Sequence, residues 1–204
     1  MRGIRVYVEG GGDRKDTKAE IRKAFGVFLR ELRDAARQQH LQWDVIACGS
    51  RGSAFDAFRT GGKSHPDCFN VLLVDAEGPV SASPKAHLRQ VDGWQIDEPD
   101  EHCHVMVQAM EAWIVADLQA LRSFYGQGFQ ESAIPKANDV ETIDKDRLLD
   151  SLKKASRSTQ KGTYHKIRHA GRLLGRLDPA TVRKRAGHCE RLFATLLGLV
   201  EGQA

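Results

Sequence analysis

Three carboxylates stand out because each follows a short apolar run and sits among glycines. Glu9 comes directly after residues 4–8 and opens the turn Glu9-Gly10-Gly11-Gly12-Asp13. Asp75 and Glu77 come directly after Val71-Leu72-Leu73-Val74, in the turn Asp75-Ala76-Glu77-Gly78-Pro79. Carboxylates that meet in space repel one another unless protons or cations compensate. A hard, oxygen-seeking ion such as Mg²⁺, or Mn²⁺, answers that need, using one or two carboxylates, waters and substrate phosphate. Ions held this way polarise a phosphodiester, generate hydroxide and stabilise the leaving oxygen. Side chains two apart on a strand share a direction, so Asp75 and Glu77 are expected to project together. Gly10, Gly11, Gly12 and Gly78 allow unusual backbone angles and the close approach of a bulky ligand. Taken singly, each acid is an ordinary residue of a strand-end turn. Two such motifs, at the ends of two expected strands, point to a site.

The elements that must position these acids follow from periodicity. Residues 4–8 alternate as a strand. Ile21, Phe25, Phe28, Leu29 and Leu32 lie on one helical face, with Asp16 or Thr17 as the cap and Gly26 as a slight weakness. Residues 43–48 read as a second strand, residues 54–58 as a short helix, and residues 61–66 as a loop. The apolar run at 71–74 suits a strand buried on both faces of a parallel sheet. Residues 80–101, with Pro84, Pro99 and a cluster of acids, read as a surface connection, and residues 102–107 as a fourth strand. Helices are expected over 109–122, 145–156, 167–177 and 181–200, with Asp178 capping the last and Pro179 in its first turn. This order predicts an α/β fold: a small, mainly parallel sheet with right-handed crossovers, flanked by helices and carrying a C-terminal helical extension. The expected division is 1–122 for the α/β domain and 123–204 for the extension. In such sheets ligands bind beyond the carboxyl ends of the strands, where Glu9 and Asp75 both fall.

Other residues could join the site. Glu111 lies in the apolar stretch 105–115, where a buried carboxylate needs a partner, and it is a candidate fourth metal ligand. Asp117, six residues on, shares that face poorly. Lys161 and Lys166 flank a basic loop, Lys161-Gly162-Thr163-Tyr164-His165-Lys166, that could hold phosphate at a helix start or stabilise transition-state charge. Gly10, Gly11, Arg51 and Arg168 are candidates for holding substrate phosphate, and Asp13 and Asp56 are placed near the same crevice. His102 and His104 form an H-x-H pair, but no third transition-metal ligand is evident, and structural histidines are the plainer reading. Gly61-Gly62-Lys63-Ser64 is not a P-loop, because Ala57 stands where that motif needs its first glycine.

Charge and cysteine usage narrow the class of protein. The formal net charge is +4, and basic residues crowd the C-terminal part, where between Lys153 and Arg191 only Asp178 and Glu190 oppose them. A basic extension on a more acidic body suggests a polyanionic partner, nucleic acid first, although a solvated helix surface has the same composition. Cys48, Cys68, Cys103 and Cys189 are scattered, which argues against a zinc ribbon or disulfide framework and for reduced thiols in the cytoplasm. No apolar leader opens the sequence, and no run approaches the length needed to span a bilayer.

"VYVEGGGD" at residues 6–13, followed by "LLVDAEG" at 72–78, resembles the Toprim domain shared by topoisomerases, primases and the overcoming-lysogenization-defect nucleases. The similarity spans roughly residues 3 to 120. The whole chain looks like an uncharacterised bacterial Toprim-like family associated with partner ATPases, of the ABC or AAA type, and with genome defence. The motifs are those two, the second extended as "LLVDAEGPV", with "VMVQAMEAWIVAD", "FYGQGF" and "KGTYHKIRHA". The resemblance implies that Glu9 is a metal ligand or general acid/base and that Asp75 is a metal ligand. Glu77 takes the place of the second Asp of Asp-x-Asp, which keeps the charge and moves the carboxylate by a methylene. A topoisomerase would also need a nucleophilic tyrosine, and Tyr7, Tyr125 and Tyr164 have no specific context for that. The expected activity is therefore Mg²⁺-dependent phosphodiester cleavage on DNA or RNA. A regulatory or sensor subunit of an ATPase complex and a small-molecule phosphohydrolase are the alternatives.

Overall fold

The computed structural model describes residues 1–202 and shows an α/β fold. The elements run β1 (Gly3–Glu9), α1 (Lys15–Phe28), α2 (Arg30–Gln38), β2 (Gln42–Gly49), α3 (Arg51–Ser64), β3 (Cys68–Asp75), α4 (Pro84–Asp92) and β4 (Cys103–Met106). They continue α5 (Met110–Ala116), α6 (Leu118–Tyr125), α7 (Lys145–Ser156), α8 (Lys166–Leu174), α9 (Pro179–Arg183) and α10 (Gly187–Val200). The four strands are parallel in the order β2-β1-β3-β4.

That order puts a topological switch between β1 and β3. The chain leaves β1 toward β2 on one side and later returns across it to β3. Right-handed crossovers then place α1 and α2 on one face of the sheet and α3 on the other, which opens a crevice at the carboxyl ends of β1 and β3. Two cores fill the two faces. On one, Ile4, Val6, Val8, Val71 and Leu73 meet Phe25, Phe28 and Trp113, and the same core continues into Leu148, Leu173 and Phe193 of the C-terminal helices. On the other, Tyr7, Leu72, Val74 and Val105 meet Phe58 and Leu88. The strict alternation along β3 explains why every residue from Asn70 to Asp75 is buried.

Several elements differ from their sequence signature. The first helix is broken at Leu29, so α1 and α2 are separate, and its N-cap is Arg14, not Asp16 or Thr17. α3 runs on through Gly61 and Gly62, where a loop was expected. Residues 84–92 form α4, because Ser83 caps it through the Ala86 amide and Pro84 occupies its first turn. The prolines of this stretch therefore include a helix start. Asp117 splits the expected helix over 109–122, since its carboxylate accepts from the Ala120 amide and caps α6. Asp178 caps α9 as expected, but that helix ends at Arg183 and α10 begins afresh at Gly187.

Gly61 persists inside a helix for a packing reason: a Cβ there would overlap the Tyr7 phenol, which donates to Asn70 Oδ1 at 3.2 Å. Gly26, in α1, has nothing within 4 Å of the same position. Chemical denaturation should therefore separate two nominally identical changes. Gly26→Ala is expected to raise the unfolding free energy by up to about 1 kcal/mol through helix propensity. Gly61→Ala is expected to lower it by about 1–3 kcal/mol through overpacking.

Candidate metal centre

Each acid reaches the crevice by a different backbone route. Glu9 is the last residue of β1, and the pairing with β2 slips there, Val8 matching Ala47 and Glu9 matching Gly49. The chain then turns away through Gly10, Gly11 and Gly12, all at positive φ (124°, 85° and 58°). Gly11 must lack a Cβ, which would stand 2.9 Å from the Lys18 Cα. Asp75 ends β3. The spacing predicts that Glu77 projects with Asp75 by strand alternation, but Glu77 is not on the strand. It lies beyond the strand in a left-handed turn (φ 65°), pinned where its amide donates to the Gln108 carbonyl at 2.9 Å.

The three acids meet. One carboxylate oxygen each from Glu9, Asp75 and Glu77 lies within 4.8 Å of the others. Asp75 is buried, and its orientation is fixed: Oδ1 accepts from the Met110 amide at 2.8 Å and Oδ2 from Lys166 Nζ at 3.0 Å. Glu9 Oε2 in turn accepts from the Asp75 amide at 3.0 Å. Glu77 is half-exposed and pairs with Lys145.

The remaining candidates sort clearly. Lys166, the first residue of α8, bridges Asp75 and Glu111, its Nζ lying 3.7 Å from Glu111 Oε2. Glu111 is buried, stands outside the trio, and accepts from the Tyr164 hydroxyl at 2.9 Å. Its place is behind Lys166. Arg51 begins α3 and donates to the Asp75 carbonyl, with Nη1 3.9 Å from Glu9 Oε2, but Asp92 holds it through two bonds of 2.8 and 2.6 Å. Gly10 and Gly11 line a cavity beside Glu9. Lys161 lies elsewhere, over the Phe124 ring at 5.3 Å. Arg168 is exposed on α8, and Asp13 and Asp56 are exposed. His102 and His104 are structural: His102 bonds the Asn70 carbonyl and stacks on Phe69, while buried His104 bonds the Glu101 carbonyl and faces Arg191. Lys145, Asp92 and the bond of Tyr164 to Glu111 were not legible from the sequence, because each gains its role only from a contact distant in sequence; Glu111 itself was a candidate ligand and is found behind Lys166 instead.

Burial, and next the Asp75 charge, push the Glu9 carboxyl up to about 7 against the pull of the Asp75 amide, Arg51 and Lys166. Burial disfavours the charge on Lys166, yet Asp75 and Glu111 outweigh it and raise its pKa. Burial and then Glu111 hold the Tyr164 phenol well above its ordinary range, so it remains a hydrogen-bond donor. A trio of oxygen donors, one of them pushed up by burial and by the Asp75 charge, fits a hard divalent cation, which would relieve the same repulsion.

The fold and this site define a parallel α/β protein with a carboxylate centre at the carboxyl ends of its inner strands. The chain belongs to the family described as Domain of unknown function (DUF4276), whose model matches residues 8–197 and so takes in Glu9, Asp75, Glu77, Glu111 and Lys166. No curated protein and no solved structure matches the chain.

Two measurements probe the site without assuming an activity. Glu9 binds its proton more tightly folded (about 7) than at its ordinary value of 4.5, so metal-free stability should fall as pH rises through that window and level off above it. Denaturation in chelator at pH 5 and pH 8 should show the fall in the wild type, and Glu9→Gln should lose Glu9's share of it. Glu77→Gly relieves a left-handed residue and removes a ligand. It should leave the melting temperature unchanged or higher while weakening Mn²⁺ binding at least tenfold; a large loss of stability would contradict the role assigned to Glu77.

Proposed function

We propose that the protein is a Mg²⁺- or Mn²⁺-dependent phosphodiesterase that cleaves nucleic acid. We place it in the cytoplasm, with an ATPase as its partner in genome defence. The observation that carries this reading is the convergence of Glu9, Asp75 and Glu77 within 4.8 Å. Four free cysteines suit a reducing compartment, and no helix among the described residues is long and apolar enough to cross a membrane.

Glu9, Asp75 and Glu77 would hold the cation. When bound, it supplies Lewis-acid polarisation of a phosphate oxygen. The chain's own groups do the rest. The Met110 amide keeps the Asp75 carboxylate aimed into the crevice. Glu9 Oε1, the oxygen free of the Asp75 amide, is the atom placed to accept a proton from an attacking water. Lys166 places a fixed positive charge where the phosphorane develops negative charge. Glu111, itself held by Tyr164, positions Lys166 and acts only through it.

A second reading, a regulatory or sensor subunit of an ATPase complex, is favoured by the lysine pairs. Lys166 pairs with Asp75 and Lys145 with Glu77, so the chain itself can balance these carboxylates. Incubating the protein, with and without its ATPase, with DNA, RNA, tRNA and free nucleotides in Mg²⁺ or Mn²⁺ separates the readings. Metal-dependent cleavage of a polymer is expected. Glu9→Ala and Asp75→Ala should abolish it with the fold retained, and Lys166→Ala should reduce it by about 10²-fold or more. Cleavage that survives both carboxylate changes would refute the assignment. Silence toward every substrate would favour the subunit reading, and turnover of nucleotides alone a small-molecule phosphohydrolase.

A further inference from the structure

Two clefts lie end to end between α1 and α8, and both lead away from the carboxylates. The first, about 140 Å³, has Glu9, Lys166 and the glycine loop at one end and Ile21, Met110 and Ile167 as an apolar wall. The second, about 370 Å³, is lined by Lys23, Arg172 and Arg176, with Glu20 as its one carboxylate. They share no lining residue and lie on either side of the contact between Gly171 and Ile21, with Ile21 and Ala170 lining the first and Glu20 and Gly171 the second. Gly171 and Gly175 let the helices come together at the floor: a Cβ on Gly171 would stand 3.3 Å from Ile21 Cδ1, and one on Gly175 3.6 Å from the Ala24 Cα.

The chemistry changes along this path. Beside the carboxylates it is apolar, and Ile167 remains 52% exposed, a large aliphatic side chain left open to water at the mouth of a charged site. Farther along it is cationic. Arg172 lies in the last turn of α8 and Arg176 in the turn just beyond its end, and both line this cleft. Among the described residues Arg172 meets only Glu20, at 3.8 Å and with both side chains well exposed, and Arg176 rests over the Phe124 ring and pairs with no acid. Exposed pairs of this kind contribute little and exchange readily for a phosphate.

We infer that the double cleft is the path of a single nucleic-acid strand. The nucleoside next to the reacting phosphate occupies the apolar slot, and the following phosphates lie on Lys23, Arg172 and Arg176. The slot suits one unstacked nucleoside and excludes a base pair, which selects single strands or frayed ends over duplex. The inference rests on the nuclease reading of the carboxylates, but its test does not.

Binding of fluorescein-labelled oligo-dT and oligo-U of about a dozen nucleotides, and of a duplex of equal length, is followed by anisotropy in EDTA, where cleavage is blocked. The wild type should prefer the single strands. The triple variant Lys23→Gln/Arg172→Gln/Arg176→Gln should bind at least tenfold more weakly, with the salt slope smaller by about 2, the value for three lost contacts to a single strand. Ile167→Glu should also weaken binding. Arg2→Gln/Arg37→Gln/Lys63→Gln removes equal charge from exposed positions at the amino ends of the strands and should change little. Binding by the cleft variant within twofold of the wild type, equal loss in both triple variants, or a preference for duplex would each overturn the path. Weaker binding in the cleft variant alongside a wild type that cleaves nothing would sink the nuclease reading and leave the path standing. Undiminished cleavage by the cleft variant would do the reverse.

Discussion

Carboxylate crowding at the carboxyl ends of β1 and β3 is the constraint around which the rest is arranged. Glu9, Asp75 and Glu77 converge, and Glu111 stands behind them. A partly buried cluster of acids is unfavourable unless protons, donors or cations compensate. All three compensations are present. Glu9 keeps a proton up to about 7, the amides of Asp75 and Met110 donate to Glu9 and Asp75, and Lys166 and Lys145 supply charge. Such a cluster is costly to build for stability alone, and a divalent cation is the natural remaining partner.

This constraint gives the C-terminal helices a purpose beyond covering the sheet. α7 delivers Lys145 and α8 delivers Lys166, while the loop before α8 delivers Tyr164 to hold Glu111. Much of the basic character of this region is spent internally. Arg183 joins Glu190 and Glu31, Arg185 donates to the carbonyls of Ala116 and Ala137, and Arg191 donates to Asp100 and the Cys103 carbonyl. Counting charges along the sequence therefore overstates the free cationic surface. What faces outward beside the site is shorter: Arg168 and Arg172 on α8 and Arg176 in the turn after it.

The α/β class, the parallel sheet and the meeting of Glu9 with Asp75 were legible because they follow from local signals, namely alternation, an apolar run and glycine-rich turns at strand ends. Helix ends were less so. Pro84 reads as a loop former until Ser83 is recognised as its cap, and Gly61-Gly62 reads as a loop because only the distant Tyr7 explains a glycine in a helix. Asp117 looked like a weak site candidate and is a cap, which also accepts from the Asp178 amide at 2.9 Å. Glu77 was found for an incomplete reason: it reaches the site through a left-handed turn that strand alternation does not describe. Lys166 was separable from Lys161 only by tertiary contact, since both flank the same loop and one lies on Phe124.

Everything proposed for the site requires that Glu9, Asp75 and Glu77 jointly hold a cation. Anomalous diffraction from crystals grown with Mn²⁺ tests it most directly. A strong peak within coordination distance of all three carboxylates is expected, with Lys166 turned away from Asp75 or sharing it. A peak held by other residues, or well-ordered carboxylates with no peak and the lysine pairs intact at millimolar Mn²⁺, would contradict it.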